Sequence, residues 1–297
     1  MEERREPLEA FLHRLPVKIL TRFARIHKEE FNLKISQPKE KLISQILEKV
    51  PDEIIVQDLY AAYGWAGNVT VHLFHISKSE LNNISEEAEL LDILNNLNLI
   101  SKKQITGLPE PVEIKFVDDK IRIRHEFLGK PIIYQDPVTR KMQTIKPLRT
   151  SFTILNPQNG VTEVRVYERV HALNTVKVLT RYFGGNYEKI SFTREHLAQW
   201  IEWALTLRNA RFKPLGPIST LYMSAQKEYD LRDIEMFREW WKKGEKIGGV
   251  YIKFEYRPKE EIGFGINAEV GKIMFRTFAS EEEIEFVVDQ GCKILGF

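Results

Sequence analysis

Glu113, Lys115, Asp118 and Asp119 stand close together in the chain. Carboxylates beside a lysine suit a divalent-metal nuclease, with acids to hold the cation and an ammonium to steady the phosphate. Strand alternation around a charged turn produces the same letters. His72 and His75, three apart in an apolar segment, would share one face of a helix as metal ligands. No cysteine or well-placed carboxylate completes that set, so packing accounts for them. The single Cys292 has neither an adjacent base nor a phosphate loop, and excludes a disulfide framework and a multi-cysteine zinc site. Gly263 and Gly265 read as a bend or a close approach within a strand. A phosphate loop of the GxxxxGK[ST] type, a GxGxxG after a strand and an HExxH are all missing. The expectation is a non-enzymatic protein with no catalytic residue, cofactor or metal.

The basic residues carry more. Lys120, Arg122 and Arg124 alternate with Ile121 and Ile123, so three cations share one sheet face with the other face filled. Arg149, Arg165 and Arg169 fall on neighbouring predicted strands. Net charge is +3 over residues 1–50, −6 over 51–110, +6 over 111–185 and −1 over 186–297. Two basic regions separated by an acidic one would present particular faces to a polyanion. Such a face tracks phosphates rather than bases. Near the amino terminus, Arg14, Arg22, Arg25, Lys39 and Lys41 are the further DNA-binding candidates.

Two short amphipathic helices position that amino-terminal set. Ile19, Leu20, Phe23 and Ile26 form the apolar stripe of a helix over about 17–30, followed by an extended link to Gln37. Pro38 reads as the first residue of a second helix, capped by Ser36 or Gln37, with Leu42, Ile43, Ile46 and Leu47 inward. A leading helix covers 8–15 and a third about 53–63. Asn68 reads as a cap for the segment after it, and a further helix starts at Ser85. Residues 1–107 thus read as an all-helical domain, with a linker at Gly107–Pro111. From Val112 the period drops from 3.6 to 2, and 108–297 reads as an α+β domain with an antiparallel sheet. Helices are expected from His171 to Phe183, over 194–210, over 230–244 and from Ser280, where Glu283 completes a capping box. Trp200, Trp203, Trp240 and Trp241 lie on these helices and read as core.

The run FLHRLPVKILTRFARIHKEEFNLKISQPKEKLISQIL, then IIVQDLYAAYGWAGNVTVHLFHISK, resembles the amino-terminal domain of the centromere protein N family. The resemblance covers most of residues 8–205 as a pattern. It implies a pyrin-like helical domain followed by a curved, TATA-binding-protein-like sheet backed by helices, and a non-enzymatic DNA or chromatin adaptor that pairs with a related subunit. In that family basic residues of the helical domain meet DNA, and Lys39, Lys41, His13 and Arg14 are the positions that fit. The helix–link–helix is also similar to a SAP module. Val112–Phe116 is echoed at Val250–Phe254, each leading into further strands and then a helix, which suggests a duplication of 112–185 in 250–297.

The chain has 297 residues, of which 43% are apolar, so it can build a substantial core. Its Ile, Lys and Glu content is thermophile-like. No run is long and apolar enough to span a membrane, and the charged start is unlike a secretory signal. The expectation is an intracellular protein, in cytoplasm and nucleoid or in a nucleus, with duplex DNA as partner. A self-associating protein–protein scaffold is the alternative, and the metal-dependent nuclease the third reading.

Overall fold

The computed structural model describes residues 8–66, 69–76, 109–117, 119–129, 131–135, 140–146, 148–183, 186–214, 219–244, 246–258 and 260–297. The chain divides into two compact units, Met1–Val69 with Thr277–Gln290, and Thr70–Arg276 with Gly291–Phe297.

The first unit is helical. It contains α1 (Leu8–Arg14), α2 (Val17–Ile26), α3 (Lys28–Phe31), α4 (Lys39–Lys49) and α5 (Asp52–Ile55), then a π turn at Val56–Tyr60 and α6 (Ala61–Tyr63). Phe11, Leu12, Leu20, Phe23, Leu42, Ile43 and Ile46 close over Ile55 and Leu59 as one core. The expected helix over 17–30 breaks at His27. There the ring lies 4.6 Å from Phe23 and its Nε2 is 2.8 Å from Asp58, so the imidazole staples α2 to the π turn. Asn32, left-handed at φ 48°, ends α3. Pro38 is the N-cap of α4 rather than its first residue, with an extended ψ of 150° and no side-chain cap bond.

The second unit is built on an antiparallel sheet. Its strands are β1 (Thr70–Ile76), β2 (Glu110–Val117), β3 (Lys120–Leu128), β6 (Leu148–Leu155), β7 (Val161–Arg165), β8 (Tyr187–Lys189), β9 (Thr206–Lys213), β10 (Leu221–Ser224), β11 (Lys246–Arg257), β12 (Glu260–Asn267) and β13 (Lys272–Phe275). The order is β10-β9-β11-β12-β13-β1-β7-β6-β3-β2, with β8 added on β1. A separate hairpin pairs β4 (Ile132–Gln135) with β5 (Met142–Ile145). Two meanders thus flank β1. The first, β2-β3-β6-β7, leads into α7 (Arg169–Phe183). The second, β9-β11-β12-β13, is preceded by α8 (Arg194–Trp203), interrupted by α9 (Glu235–Lys242) and followed by α10 (Glu281–Leu295).

The segment Thr70–Ile76, placed in an all-helical domain by the sequence, is instead the central strand. Its reason is burial on both sides, which replaces polar alternation by a nearly continuous apolar run. His72 and Phe74 share a face with Ile123, Leu155 and Val164, packed on Ala172, Val176 and Leu179 of α7. Val71, on the other face, is in register with Ile273, Ile266 and Val250. That side of the second meander receives Trp200 of α8, 5.5 Å from both Phe254 and Phe264, and Phe237 of α9, 5.8 Å from Phe212. Helices therefore pack on opposite faces of the two meanders.

The helix expected over 194–210 stops at Trp203, because Thr206–Lys213 pairs with β11 as a strand. Trp203 is consequently 48% exposed rather than core, while Trp200 is fully buried and Trp240 and Trp241 are half-buried. The capping box at Ser280 is present: Ser280 N–H donates to Glu283 Oε2 at 2.6 Å and Glu283 N–H to Ser280 Oγ at 3.3 Å. Counted back from the helix after each meander, β3 corresponds to β11 and β2 to β9. The five-letter echo at 112–116 and 250–254 thus falls on β2 and β11, which do not correspond. The helix from Ser85, the Asn68 cap and residues 107–108 of the linker lie outside the described residues.

Candidate nucleic-acid interface

Register fixes where the predicted basic face goes. Glu113, Arg124, Phe152 and Arg165 form one cross-strand row; Lys115, Arg122, Ile154 and Glu163 form the next on the same face. This face is not solvated. Arg124 is 2% exposed and Arg165 4%, and Arg122 and Glu163 are buried with them. Glu113 lies 3.0 Å from Lys115 Nζ through one oxygen and 3.0 Å from Arg124 Nε through the other. The second is a charge contact without hydrogen-bond alignment, since both atoms lack a hydrogen-bond partner. Glu163 Oε2 accepts from Arg165 Nε at 3.1 Å and Nη2 at 2.8 Å. Charges buried at this depth persist because they are paired. The row holds the sheet together and offers phosphates no access. Lys120 opens β3 half-buried on the same face. Arg149, exposed, is in register with Phe127 on the opposite face, and Arg169, exposed, is the first residue of α7.

The nuclease constellation is dispersed too. Glu113 is engaged by cations at both oxygens, Asp119 is exposed in a turn at φ 60°, and Asp118 lies outside the described residues. Among the described residues no three metal-ligating side chains converge. His72 and His75 cannot share a face, because three positions along a strand put them on opposite sides. His72 is buried with Nε2 3.1 Å from the Val166 carbonyl oxygen. Burial, then Lys272 and Arg169, push its pKa down to about 4. His125, fully buried beside Thr153 Oγ1 at 3.0 Å, is pushed down to about 3 by burial. Both rings are neutral structural groups.

In the helical unit the candidates divide into cations tied to backbone carbonyls and cations that stand exposed. Lys39 Nζ donates to the His13 carbonyl at 2.6 Å, completing the end of α1, and Arg14 donates to the Gly64 carbonyl at 3.3 Å. Arg22 and Arg25 stand exposed on α2, and Lys41 on the first turn of α4.

A different face meets the requirements of a polyanion site. The α7-side face of the sheet continues past β1 into the second meander, where α8 and α9 pack on the opposite side. Tyr222, Arg211, Gly249, Asn267 and Lys272 form one row across β10 to β13. Ser224, Asn209, Tyr251, Gly265 and Met274 form the next. Glycines shape this surface. A Cβ at Gly263 would come within 2.4 Å of the Tyr251 hydroxyl, and one at Gly248 within 2.8 Å of Arg211 Nε. Tyr251 and Arg211 therefore lie down along the sheet, the latter donating from Nη2 to the Gly248 carbonyl at 2.7 Å. Arg276 stacks 4.1 Å above the Tyr251 ring, and Lys272 sits 5.8 Å from that of Tyr167. Lys253 pairs with Glu261 at 2.5 Å, and Glu269 bridges Lys213 and Lys246 at 2.5 and 3.0 Å. Arg211, Arg276 and Lys272 have no carboxylate among those pairs.

No protein-family model matches the chain, and no curated protein is significantly similar to it in sequence. Among the described residues no helix is long and apolar enough to cross a membrane. Sequence reasoning missed Arg211 because β9 reads as the tail of a helix. Tyr251 and Lys253 were legible as one face of VYIKFEYRP, but the spacing held no sign that α8 and α9 pack on the other.

Proposed function

We propose that the protein is a non-enzymatic nucleic-acid-binding adaptor whose two units each expose basic side chains to the phosphate backbone of duplex DNA. The observation that carries the reading is the face of the second meander opposite α8 and α9, where Arg211, Arg276 and Lys272 lie near the exposed rings of Tyr222 and Tyr167. Cations set on a rigid sheet reach phosphates with little loss of side-chain freedom, and each contact displaces counterions. Arg22, Arg25 and Lys41 give the helical unit a contribution of its own, as the resemblance to centromere protein N and SAP-like modules implies. The TATA-binding-protein-like reading belongs to the same proposal, since two meanders, each followed by a helix, flank β1. Arg122, Arg124 and Arg165 serve the fold and not the ligand.

Two charge-reversal triples test it by gel-shift titration of a duplex. Arg211→Glu/Lys272→Glu/Arg276→Glu should lower affinity at least tenfold, and Arg22→Glu/Arg25→Glu/Lys41→Glu several-fold. If folded proteins of both kinds bind as the wild type does, the adaptor reading is wrong. A probe shortened only with magnesium would instead favour the nuclease. The protein-scaffold reading is favoured by one observation, an apolar groove of about 300 Å³ lined by Ile201, Phe237 and Trp241 in α8 and α9. Exposed Met236 belongs to the same helix as Phe237 and Trp241.

A further inference from the structure

We infer that the open face of the second meander is a stacking platform for unpaired bases, so that this unit holds single-stranded nucleic acid in preference to duplex. The inference rests on the nucleic-acid reading above and names the form of the ligand.

Three ring positions carry it. Tyr222, on the edge strand β10, is 70% exposed, and Tyr167, at the end of β7, is 71% exposed. Large rings left this open cost hydration free energy that burial would recover. Between them lies Tyr251, held flat over Gly263 and Gly265, with the Arg276 guanidinium 4.1 Å above it. That planar cation is exposed and offers its own face to a base. From Tyr222 to Lys272 the row crosses four strand spacings, about 19 Å, enough for a few successive nucleotides. A duplex keeps its bases inside the stack and shows a flat sheet only phosphates and groove edges. A single strand can splay its bases onto rings while its phosphates meet Arg211 and Lys272. Lying side chains have already lost their rotamer freedom, so little ordering remains on binding. The wide, shallow surface suits a stretched strand better than an enclosed small molecule.

The test is a competition by fluorescence anisotropy, using a labelled mixed-sequence single strand of about 12 nucleotides, its duplex and an abasic strand of equal length. The strand is supplied in deoxy and ribo forms, and preference for either form over the duplex supports the inference. The wild type should bind the single strand at least tenfold more tightly than the duplex and the abasic strand. Tyr222→Ala/Tyr167→Ala, two exposed positions whose truncation spares the core, should remove most of that preference while leaving abasic binding unchanged. Equal binding of all three probes, or a variant weakened equally on all of them, would overturn the platform and leave the phosphate-binding reading intact. Binding of none would overturn both.

Discussion

Glu163 and Arg165 illustrate how a charged residue can be read correctly by type and wrongly by place. Alternation predicts that Lys120, Arg122 and Arg124 share a face, and they do, with Arg165 brought to the same face by register. Alternation is blind to whether that face meets water, since a polar row on a covered sheet has the same period as one in solvent. The signal in the sequence was the interleaved Glu113 and Glu163, whose carboxylates balance the guanidinium groups in register. Removing one member strands the other, so Glu163→Ala should lower stability by about 3–5 kcal/mol, read from the urea midpoint, with the double variant Glu163→Ala/Arg165→Met less affected. A full effect in the double variant would count against pairing as the reason for burial. His125 and His72 add a pH term. Their folded pKa values, about 3 and about 4, lie below the ordinary 6.5, so between these limits the unfolded chain binds the extra protons. Stability should hold above about pH 6.5 and fall as pH drops from there towards 4. His125→Gln should flatten that fall; an unchanged slope would show that the ring is not held neutral.

Element boundaries fail where one segment carries two periods. The stretch 194–210 has helical spacing at Leu197, Ile201 and Ala204, but Leu207, Ala210 and Phe212 belong to a bulged strand that the same letters disguise. The final helix was legible to the residue because its cap is local chemistry, and Ser280→Ala should cost about 1 kcal/mol by thermal or urea unfolding. The place of β1 was not legible, since a strand added between two meanders is fixed by pairings far away in sequence. Gly271 shows how tight that junction is. At φ 54° it leads into β13, its carbonyl accepts from Leu73 N–H at 2.9 Å, and an added Cβ would strike the Ile190 carbonyl. Both the left-handed backbone and the clash with main chain oppose a side chain, so Gly271→Ala should destabilise by more than about 1 kcal/mol. A neutral Gly271→Ala would mean that β1, β8 and β13 meet less closely.

At the scale of the whole sheet, β7 and β13 both run antiparallel to β1, so the two meanders have the same strand direction on either side of it. A two-fold axis along β1 produces that arrangement, and it necessarily turns opposite faces towards the helices of each half. The face covered by α7 in the first meander therefore continues as the face opposite α8 and α9 in the second. The proposed binding surface thus comes from topology, which is why charge counts pointed to residues 111–185 and not to 206–276. Net charge over the carboxyl-terminal segment is close to zero, yet register sets Arg211 and Lys272 on one side of the sheet and Glu261 and Glu269 are tied into local pairs. The measurement that bears most directly on the adaptor account is the salt dependence of duplex binding by the intact chain, followed by fluorescence anisotropy. Contacts from Arg211, Arg276, Lys272 and the helical cations predict a linear fall of log affinity with log salt, with a slope steeper than about −3. Failure to bind at low salt, or an affinity indifferent to salt, would contradict it.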